Sequence, residues 1–280
     1  MSTDGTTTAP GAGAYAAVNG ITLYYETHGA GRPLILLHGG LGSGEMFGPI
    51  LPTLAARHRV IAVDLQGHGR TADIDRPLDV RFMADDVAAL IAHLGLDQPA
   101  VVGFSLGGGV AFRTAAQHPD RVGKLVMASA HIRSDAVYAE MRQQQGQVNA
   151  AAEAFLRDTP MYRLYQRVAP RPGDFGRLLD KIGAAMAQDF DFSDDVRGLR
   201  VPTLIVCADA DMAPPSHYVA VFALLDGGLR DGGWLGEHRP RGGHALAILP
   251  GLTHYNLVDS PLFAAAVLDF LDGPAPGSAG

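Results

Sequence analysis

Short apolar runs recur along the chain, and segments of helical length separate most of them. Each run is bounded by polar or glycine-rich positions, which is typical of a buried strand. The predicted strands cover residues 15–18, 21–26, 34–37, 60–63, 100–104, 125–128, 203–207 and 245–249. Strands that alternate with helices predict an α/β fold, with a mostly parallel twisted sheet and helices on both of its faces.

Turn and cap residues refine this prediction at three places. Asn19-Gly20 lies between the first two runs and is a strong signal for a hairpin, so these two strands should be antiparallel. Apolar residues at helical spacing predict a helix over 83–94, and Gly95 can form its left-handed cap. Ser260-Pro261 is a favourable start for the last helix.

The alternation is interrupted over residues 131–199, where the pattern is helical and no strand is predicted. We interpret this stretch as a helical lid inserted after the sixth strand of an α/β core formed by residues 15–130 and 200–272. Its many large apolar residues either pack on one another in a small subdomain or line one side of a substrate pocket. Residues 1–14 and 273–280 are expected to be flexible tails.

Composition narrows the classes of partner. The chain has 280 residues, of which 47% are hydrophobic, and its formal net charge is −7. An acidic chain without a basic block argues against nucleic acid and anionic membrane as partners, so a small molecule is the expected ligand. His38, His68, His118 and His131 are scattered and form no metal-binding motif, and no dinucleotide or phosphate loop is recognisable. We therefore expect no metal and no cofactor.

Cysteine content and the amino terminus bear on the compartment. Cys207 is the single cysteine and lies in a predicted buried strand, so no intramolecular disulfide can form. Residues 1–14 lack the basic start and apolar core of a signal peptide. Both observations predict a cytoplasmic protein.

The strongest chemical signal is Gly103-Phe104-Ser105-Leu106-Gly107, in which an apolar strand runs into a G-x-S-x-G turn. This pattern is typical of a nucleophile elbow, a tight strand-to-helix turn that exposes a serine hydroxyl above the sheet. Glycines two residues before and after the serine allow the strand and the helix to approach closely. Ser105 is therefore the candidate nucleophile.

A serine hydroxyl needs a histidine as general base and a carboxylate that orients the histidine. His254 follows the last predicted strand, and Asp209 and Asp211 both follow the strand over 203–207. Asp211 lies farther past that strand and is the preferred acid, whereas Asp209 can cap the turn by accepting from backbone amides. Asp209 remains the alternative. The chain order Ser, Asp, His is that of α/β-hydrolases.

The tetrahedral intermediate of acyl transfer requires N–H donors that stabilise its negative oxygen. His38-Gly39-Gly40-Leu41-Gly42 follows the first parallel strand and can turn its amides inward. We assign the oxyanion hole to the amides of Gly40 and Leu106. The amide of Leu106 lies at a predicted helix start, where the helix dipole also favours an anion.

With these motifs, the chain resembles α/β-hydrolases of the capped serine carboxylesterase type, the group that includes pimeloyl-carrier-protein methyl ester carboxylesterase. The resemblance extends over residues 18–272 and rests on His38-Gly39-Gly40, the Asp64-Leu65-Gln66-Gly67-His68-Gly69 segment, the serine turn, Asp211 and Gly251-x-x-His254. It implies a triad of Ser105, Asp211 and His254 and an oxyanion donor at Gly40.

The predicted activity is hydrolysis of a small carboxylic ester or lactone through an acyl-enzyme. Three alternatives share the scaffold: an acyltransferase, a carbon–carbon bond hydrolase and a non-catalytic binding protein. Candidates for the lining of the substrate pocket are Leu41, Met161, Tyr162, Tyr165, Met212 and Tyr255.

Overall fold

Eight strands form one sheet in the computed structural model, which describes residues 13–234 and 242–273. The strands are β1 (Gly13–Val18), β2 (Ile21–His28), β3 (Arg32–Leu37), β4 (His58–Asp64), β5 (Ala100–Phe104), β6 (Lys124–Ala128), β7 (Thr203–Ala210) and β8 (Ala245–Thr253). Their order across the sheet is β1-β2-β4-β3-β5-β6-β7-β8.

Strand direction follows the prediction. The pairs β1–β2 and β2–β4 are antiparallel, and all the pairs from β4–β3 to β7–β8 are parallel. The mostly parallel sheet is therefore confirmed. One boundary is wrong: Gly13 and Ala14, assigned to a tail by the sequence, pair with Glu26 and Tyr25. The rest of the predicted amino-terminal tail, residues 1–12, lies outside the described residues. So do residues 274–280 of the predicted carboxy-terminal tail.

Helices flank the sheet along the described chain, and none of them is both long and apolar enough to cross a bilayer. Their bounds are α1 (Leu51–Ala55), α2 (Val80–His93), α3 (Leu106–Gln117), α4 (Ala139–Gln145), α5 (Glu153–Leu156), α6 (Pro160–Val168), α7 (Phe175–Met186), α8 (Ser193–Arg197), α9 (Pro215–Leu224) and α10 (Pro261–Asp272).

Capping residues explain where two of these helices begin and end. The Asp79 side chain accepts from the amide of Arg81 and opens α2, and Gly95 follows this helix with a φ of 59°. A residue with a side chain would be strained at that angle, so the predicted glycine cap is confirmed. Ser260 caps α10 in the same way by accepting from the amide of Leu262.

The sheet separates two hydrophobic cores. One face is covered by α2, α3, α9 and part of the segment between β6 and β7, and its core is continuous with Phe175, Leu178 and Ile182 of α7. The other face is covered by α1 and α10, with Leu54 and Phe263 at its centre. Full burial of each such side chain contributes about 1.5–3 kcal/mol, so both layers hold the strand ends in fixed positions.

Helices α4 to α8 occupy the stretch between β6 and β7 that the sequence assigns to a lid. Two ion-pair clusters tie this segment to the core. Asp73, in the loop after β4, contacts Lys181 and Arg177 of α7, and Glu45, in the turn after β3, contacts Arg167 of α6. Both clusters anchor this segment, called the lid below after that prediction, on loops at the carboxyl edge of the sheet.

Candidate active site

Ser105 occupies a strained turn between β5 and α3, with φ 53° and ψ −117°. The turn is so tight that a Cβ atom on Gly103 would lie 2.0 Å from the carbonyl oxygen of Gly107. A Cβ atom on Gly107 would lie 2.3 Å from the carbonyl oxygen of Leu37 in β3. Only glycine fits at both positions. Backbone strain of this kind costs about 1–3 kcal/mol and is typical of functional sites.

His254 lies in the loop after β8 and faces the serine. Its Nε2 atom is 3.1 Å from Oγ of Ser105, although 149 positions separate the two residues in the chain. The imidazole ring packs on the ring of Phe104, with 4.9 Å between the ring centroids. The base and the nucleophile are thus held in hydrogen-bond contact by the ends of β8 and β5.

Asp211, in the loop after β7, lies on the other side of the imidazole. Its Oδ1 atom is 2.8 Å from Nδ1 of His254. A carboxylate can only accept, so Nδ1 carries the proton and Nε2 is free to accept the proton of the Ser105 hydroxyl. The structure therefore brings together Ser105, His254 and Asp211 in the order that general-base catalysis requires.

Asp209, the alternative acid, has a different set of contacts. Its carboxylate oxygens accept from the amides of Gly251 and Leu252, at 2.9 and 3.2 Å. These amides belong to the end of β8, the strand that leads to His254. Asp209 thus holds the end of this strand through its backbone, while Asp211 holds the imidazole itself.

The Asp211 carboxylate is buried and strongly hydrogen-bonded. Besides His254, it accepts from the hydroxyl of Ser129 and from the amides of Ala208 and Met212. Burial alone would raise the pKa of Asp211, but the hydrogen bonds from His254 and Ser129 outweigh it and hold the pKa below the ordinary value. The carboxylate is ionised at neutral pH and favours the imidazolium that forms during proton transfer.

The two predicted oxyanion donors belong to segments that adjoin the nucleophile. Leu106 directly follows Ser105, and a Cβ atom built on Gly39 would be 3.3 Å from Cβ of Ser105, so the loop after β3 runs close to the serine. A Cβ atom on Gly40 would meet open space. Within the described part of the chain, the amides of Gly40 and Leu106 donate to no protein acceptor. Both amides are available to an anionic oxygen.

Three of the six predicted pocket residues adjoin members of the site. Leu41 follows Gly40 with a φ of 59°, and Met212 donates its amide to Asp211. Tyr255 is 70% exposed, and its ring centroid is 5.7 Å from that of His254.

The other three lie in α6 of the lid. Tyr162 and Tyr165 pack edge-on against Phe175, with 5.0 and 5.1 Å between ring centroids, and Met161 is 39% exposed. The tyrosine contacts lie within the lid's own core. A role of these three side chains in substrate binding stays a prediction.

Sequence reasoning missed two polar side chains around the triad. Ser129 follows β6 directly and contacts Asp211, and His38 contacts the backbone of Gly39 beneath the predicted oxyanion hole. A serine immediately after a parallel strand was the available signal for Ser129. The contact of His38 has no signal beyond its place in the His-Gly-Gly sequence. Among the described residues, no group of His, Cys, Asp and Glu side chains is arranged to hold a metal ion.

Comparison with known proteins gives matches over much of the chain. A family model described as the alpha/beta hydrolase fold matches residues 32–160. A putative carbamate hydrolase RutD of Azorhizobium caulinodans is 32% identical over 229 residues, which cover 75% of this chain and 84% of that protein. A non-heme haloperoxidase of Rhodococcus erythropolis is 32% identical over 225 residues, covering 71% of this chain and 82% of the relative.

Solved structures agree with this assignment at the level of the fold. A thermophilic esterase of Thermogutta terrifontis superposes with a TM-score of 0.70 at 24% identity, covering 93% of this chain and 98% of the esterase. An enol-lactonase of Burkholderia xenovorans superposes with a TM-score of 0.67 at 23% identity, covering 93% of this chain and 100% of the lactonase.

Proposed function

The chain belongs to the α/β-hydrolase fold family and is a hydrolase, and we propose that it cleaves a small carboxylic ester or lactone through an acyl-enzyme on Ser105. The observation that carries this proposal is the continuous hydrogen-bond path from Ser105 through His254 to Asp211. Such a path activates a hydroxyl that would otherwise be a poor nucleophile.

The reaction follows from the positions of these atoms. Ser105 Oγ attacks the carbonyl carbon of the ester while Nε2 of His254 takes the hydroxyl proton. The negative oxygen of the tetrahedral intermediate is stabilised by the amides of Gly40 and Leu106. His254 then gives its proton to the leaving alcohol, and the serine ester remains.

The second half of the reaction reverses the same proton path. Water attacks the acyl-serine and loses a proton to His254, and collapse of the intermediate releases the carboxylic acid and restores the hydroxyl of Ser105. The ionised carboxylate of Asp211 stabilises the charged imidazole in both halves. No residue beyond those already placed at the site is needed for the proton transfers.

A carbamate is the second substrate class that we propose. The likeness to the putative carbamate hydrolase RutD of Azorhizobium caulinodans favours it, and the chemistry at Ser105 would be the same up to the carbamoyl-serine. The carbonyl carbon of a carbamate is less electrophilic than that of an ester. An ester hydrolase is therefore expected to accumulate the carbamoyl-enzyme and give a burst, whereas a true carbamate hydrolase turns over steadily.

The proposal is tested with a fluorophosphonate and a panel of chromogenic esters, lactones and carbamates of graded acyl length. We expect one phosphonyl adduct per chain, located at Ser105 by mass spectrometry. Replacement of Ser105 by Ala should abolish the adduct and lower kcat by roughly 10⁴ to 10⁶, the range found when triad members are removed. Absence of an adduct on the wild-type protein would favour the non-catalytic binding protein instead.

A further inference from the structure

The peptide unit between Gly39 and Gly40 is held by hydrogen bonds to its carbonyl oxygen. The carbonyl oxygen of Gly39 accepts from Nδ1 of His38 at 2.7 Å and from the amide of Gly42 at 3.2 Å. The amide of Gly39 itself is occupied, because it lies 3.3 Å from Sδ of Met46. The amide of Gly40 is thus the free donor of this part of the loop.

The direction of the Gly40 amide follows from peptide geometry. In a planar trans peptide, the carbonyl of one residue and the N–H of the next point in opposite directions. No described peptide bond of the chain is cis. When His38 holds the oxygen of Gly39 towards its own ring, the N–H of Gly40 must point away from that ring. Gly40 borders open space, and the loop crosses Ser105 at the preceding residue.

The contacts of His38 also determine its tautomer. Nε2 of His38 is 3.0 Å from the amide nitrogen of Leu65. A backbone N–H can only donate, so Nε2 is unprotonated and the ring proton lies on Nδ1, the atom that faces the oxygen of Gly39. The side chain is completely buried, and burial lowers the pKa of His38 to about 4. The ring is therefore neutral at physiological pH.

We propose that His38 is a positioning residue for the reaction at Ser105, which fixes the Gly39–Gly40 peptide so that the Gly40 amide meets the oxyanion. His38 does not touch the substrate. It acts through one hydrogen bond to a backbone oxygen and is itself oriented by the amide of Leu65. This inference rests on the proposed hydrolase function and adds a residue to its machinery.

Replacement of His38 by Asn or by Gln tests its two hydrogen bonds independently. The terminal nitrogen of Asn can occupy the place of Nδ1 and keep the donation to Gly39, but it loses the acceptor for Leu65. The terminal oxygen of Gln can occupy the place of Nε2 and accept from Leu65, but it leaves the oxygen of Gly39 without its imidazole donor. A positioning role predicts that the two variants differ in catalysis in a defined direction.

The expected result is a selective loss in His38→Gln. Its kcat on an activated ester should fall by about 10- to 100-fold with KM within about threefold, because a misdirected oxyanion donor weakens only the transition state. His38→Asn should keep kcat within about fivefold of the wild type, since its bond to Gly39 remains. Affinity for a trifluoromethyl ketone, which forms a tetrahedral adduct with an anionic oxygen, should fall in parallel with kcat/KM in the Gln variant.

The matched control is His68→Asn. His68 is also fully buried, its ring centroid is 5.2 Å from that of His38, and its Nδ1 contacts the backbone oxygen of Gln66 and not the oxyanion loop. This variant should lose thermal stability but keep kcat per active site, counted by fluorophosphonate titration. A kcat loss in His68→Asn equal to that in His38→Gln would mean that any disturbance of the buried histidines suffices, and would overturn the assignment.

Other results overturn the proposal as clearly. Equal kcat in the Asn and Gln variants, or a loss that appears in KM alone, contradicts a positioning role. If the Gln variant does not fold, the tautomer of His38 in the wild-type protein can be measured by ¹⁵N NMR. A neutral His38 that carries its proton on Nε2 cannot donate from Nδ1 to Gly39, and this result would overturn the proposal. Failure of the proposed hydrolase function would look different, since the wild-type protein itself would then be inactive and unlabelled.

Discussion

The hydroxyl of Ser129 donates a hydrogen bond to Oδ2 of Asp211, while Oδ1 of the same carboxylate meets the imidazole of His254. Ser129 is 2% exposed and follows β6 with a φ of 49°. Both oxygens of the carboxylate are therefore held by side chains. This arrangement fixes the orientation in which Asp211 accepts from His254.

Removal of the Ser129 hydroxyl should weaken catalysis without affecting substrate binding. Ser129→Gly removes the donor and suits the positive φ at this position. Hydrogen bonds to charged groups contribute about 1.5–3 kcal/mol, so we expect kcat to fall by about 10- to 100-fold at nearly constant KM. Steady-state kinetics on an activated ester, normalised to titrated active sites, measures this effect.

Ser129→Ala is the matched control for backbone strain. It removes the same hydroxyl but places a Cβ atom at a positive φ, which should reduce stability relative to the Gly variant by about 1 kcal/mol. Both variants should lose the same factor in kcat. If the Gly variant keeps full activity and only the Ala variant loses it, the hydroxyl has no part in catalysis.

Asp209 at the end of β7 and Asp211 just beyond it should differ sharply when each is replaced by Asn. In Asp211→Asn, the new side-chain amide can present an N–H to Nδ1 of His254 and so favours the tautomer that cannot accept the serine proton; kcat should fall by about 10³- to 10⁴-fold. Asp209→Asn weakens two bonds to the end of β8, each worth about 0.5–1.5 kcal/mol, and should cost less than about tenfold in kcat.

These two variants test the choice of acid directly. They are isosteric with the wild type and differ from it by one charge each, so their kinetics can be compared without correction for side-chain volume. A larger loss from Asp209→Asn than from Asp211→Asn would transfer the role of the acid to Asp209.

The sequence favours Asp211 over Asp209 by its distance past the strand but leaves Asp209 open, and the reason is geometric. Residues two apart in an extended strand point to the same side, so the alternation of side chains does not separate Asp209 from Asp211. The register between β7 and β8 shifts between Ala208 and Ala210, which changes how the chain continues past this point. Such an irregularity depends on strand pairing and has no signature in the local sequence.

The elbow and the strands were predictable because their signals are local. Buried runs such as 100–104 coincide with their strands, since a parallel sheet covered on both faces requires continuous apolar segments. Contacts within the lid were not predictable. Tyr165 of α6 is apolar enough to line a pocket, yet it packs on Phe175 of α7. Whether such a side chain faces a pocket or a neighbouring helix depends on the three-dimensional arrangement of α6 and α7.

The lid anchor at Asp73 should contribute more to stability than the one at Glu45. Asp73 is buried and lies within 2.8 Å of Lys181 and Arg177 of α7. Asp73→Asn removes the negative partner of both cations; because Arg177 is 48% exposed and Lys181 keeps two backbone carbonyl partners, the loss should be about 1–3 kcal/mol in the free energy of unfolding. Urea denaturation measures this loss, and limited proteolysis should cut the lid faster in the variant.

Glu45→Gln is the control, because it breaks a more exposed link between the same two parts of the chain. Glu45 bridges Arg167 of the lid and Arg70 of the core, and the Arg167 side chain is 59% exposed. Exposed pairs contribute about 0–1 kcal/mol, so the variant should unfold close to the wild type. Equal losses from both variants would contradict the assignment of Asp73 as the main anchor.

Stability should fall as the pH is lowered from about 6.5, because two neutral histidines are fully buried. Burial lowers the pKa of His38 to about 4 and that of His68 to about 3, so below pH 6.5 the unfolded chain binds protons there that the folded chain does not. Each such proton reduces the free energy of unfolding by about 1.4 kcal/mol per pH unit. Burial of Asp64 acts in the opposite direction: it raises that pKa to about 6, so the folded chain gains one proton between about pH 6 and pH 4.

The net effect of these three groups is one extra proton on the unfolded chain. His131 and His217, whose pKa burial also lowers to about 4, add two more, so the free energy of unfolding should fall by about 4 kcal/mol per pH unit between pH 6 and pH 4. Urea denaturation at pH 6, 5 and 4 measures this slope. His68→Phe removes one of these imidazoles, so its slope should be smaller than that of the wild type by about 1.4 kcal/mol per pH unit. If the free energy of unfolding of the variant changes with pH as steeply as that of the wild type, removal of His68 has left the proton balance between the folded and unfolded chains unchanged. His68 would then not be a neutral buried group.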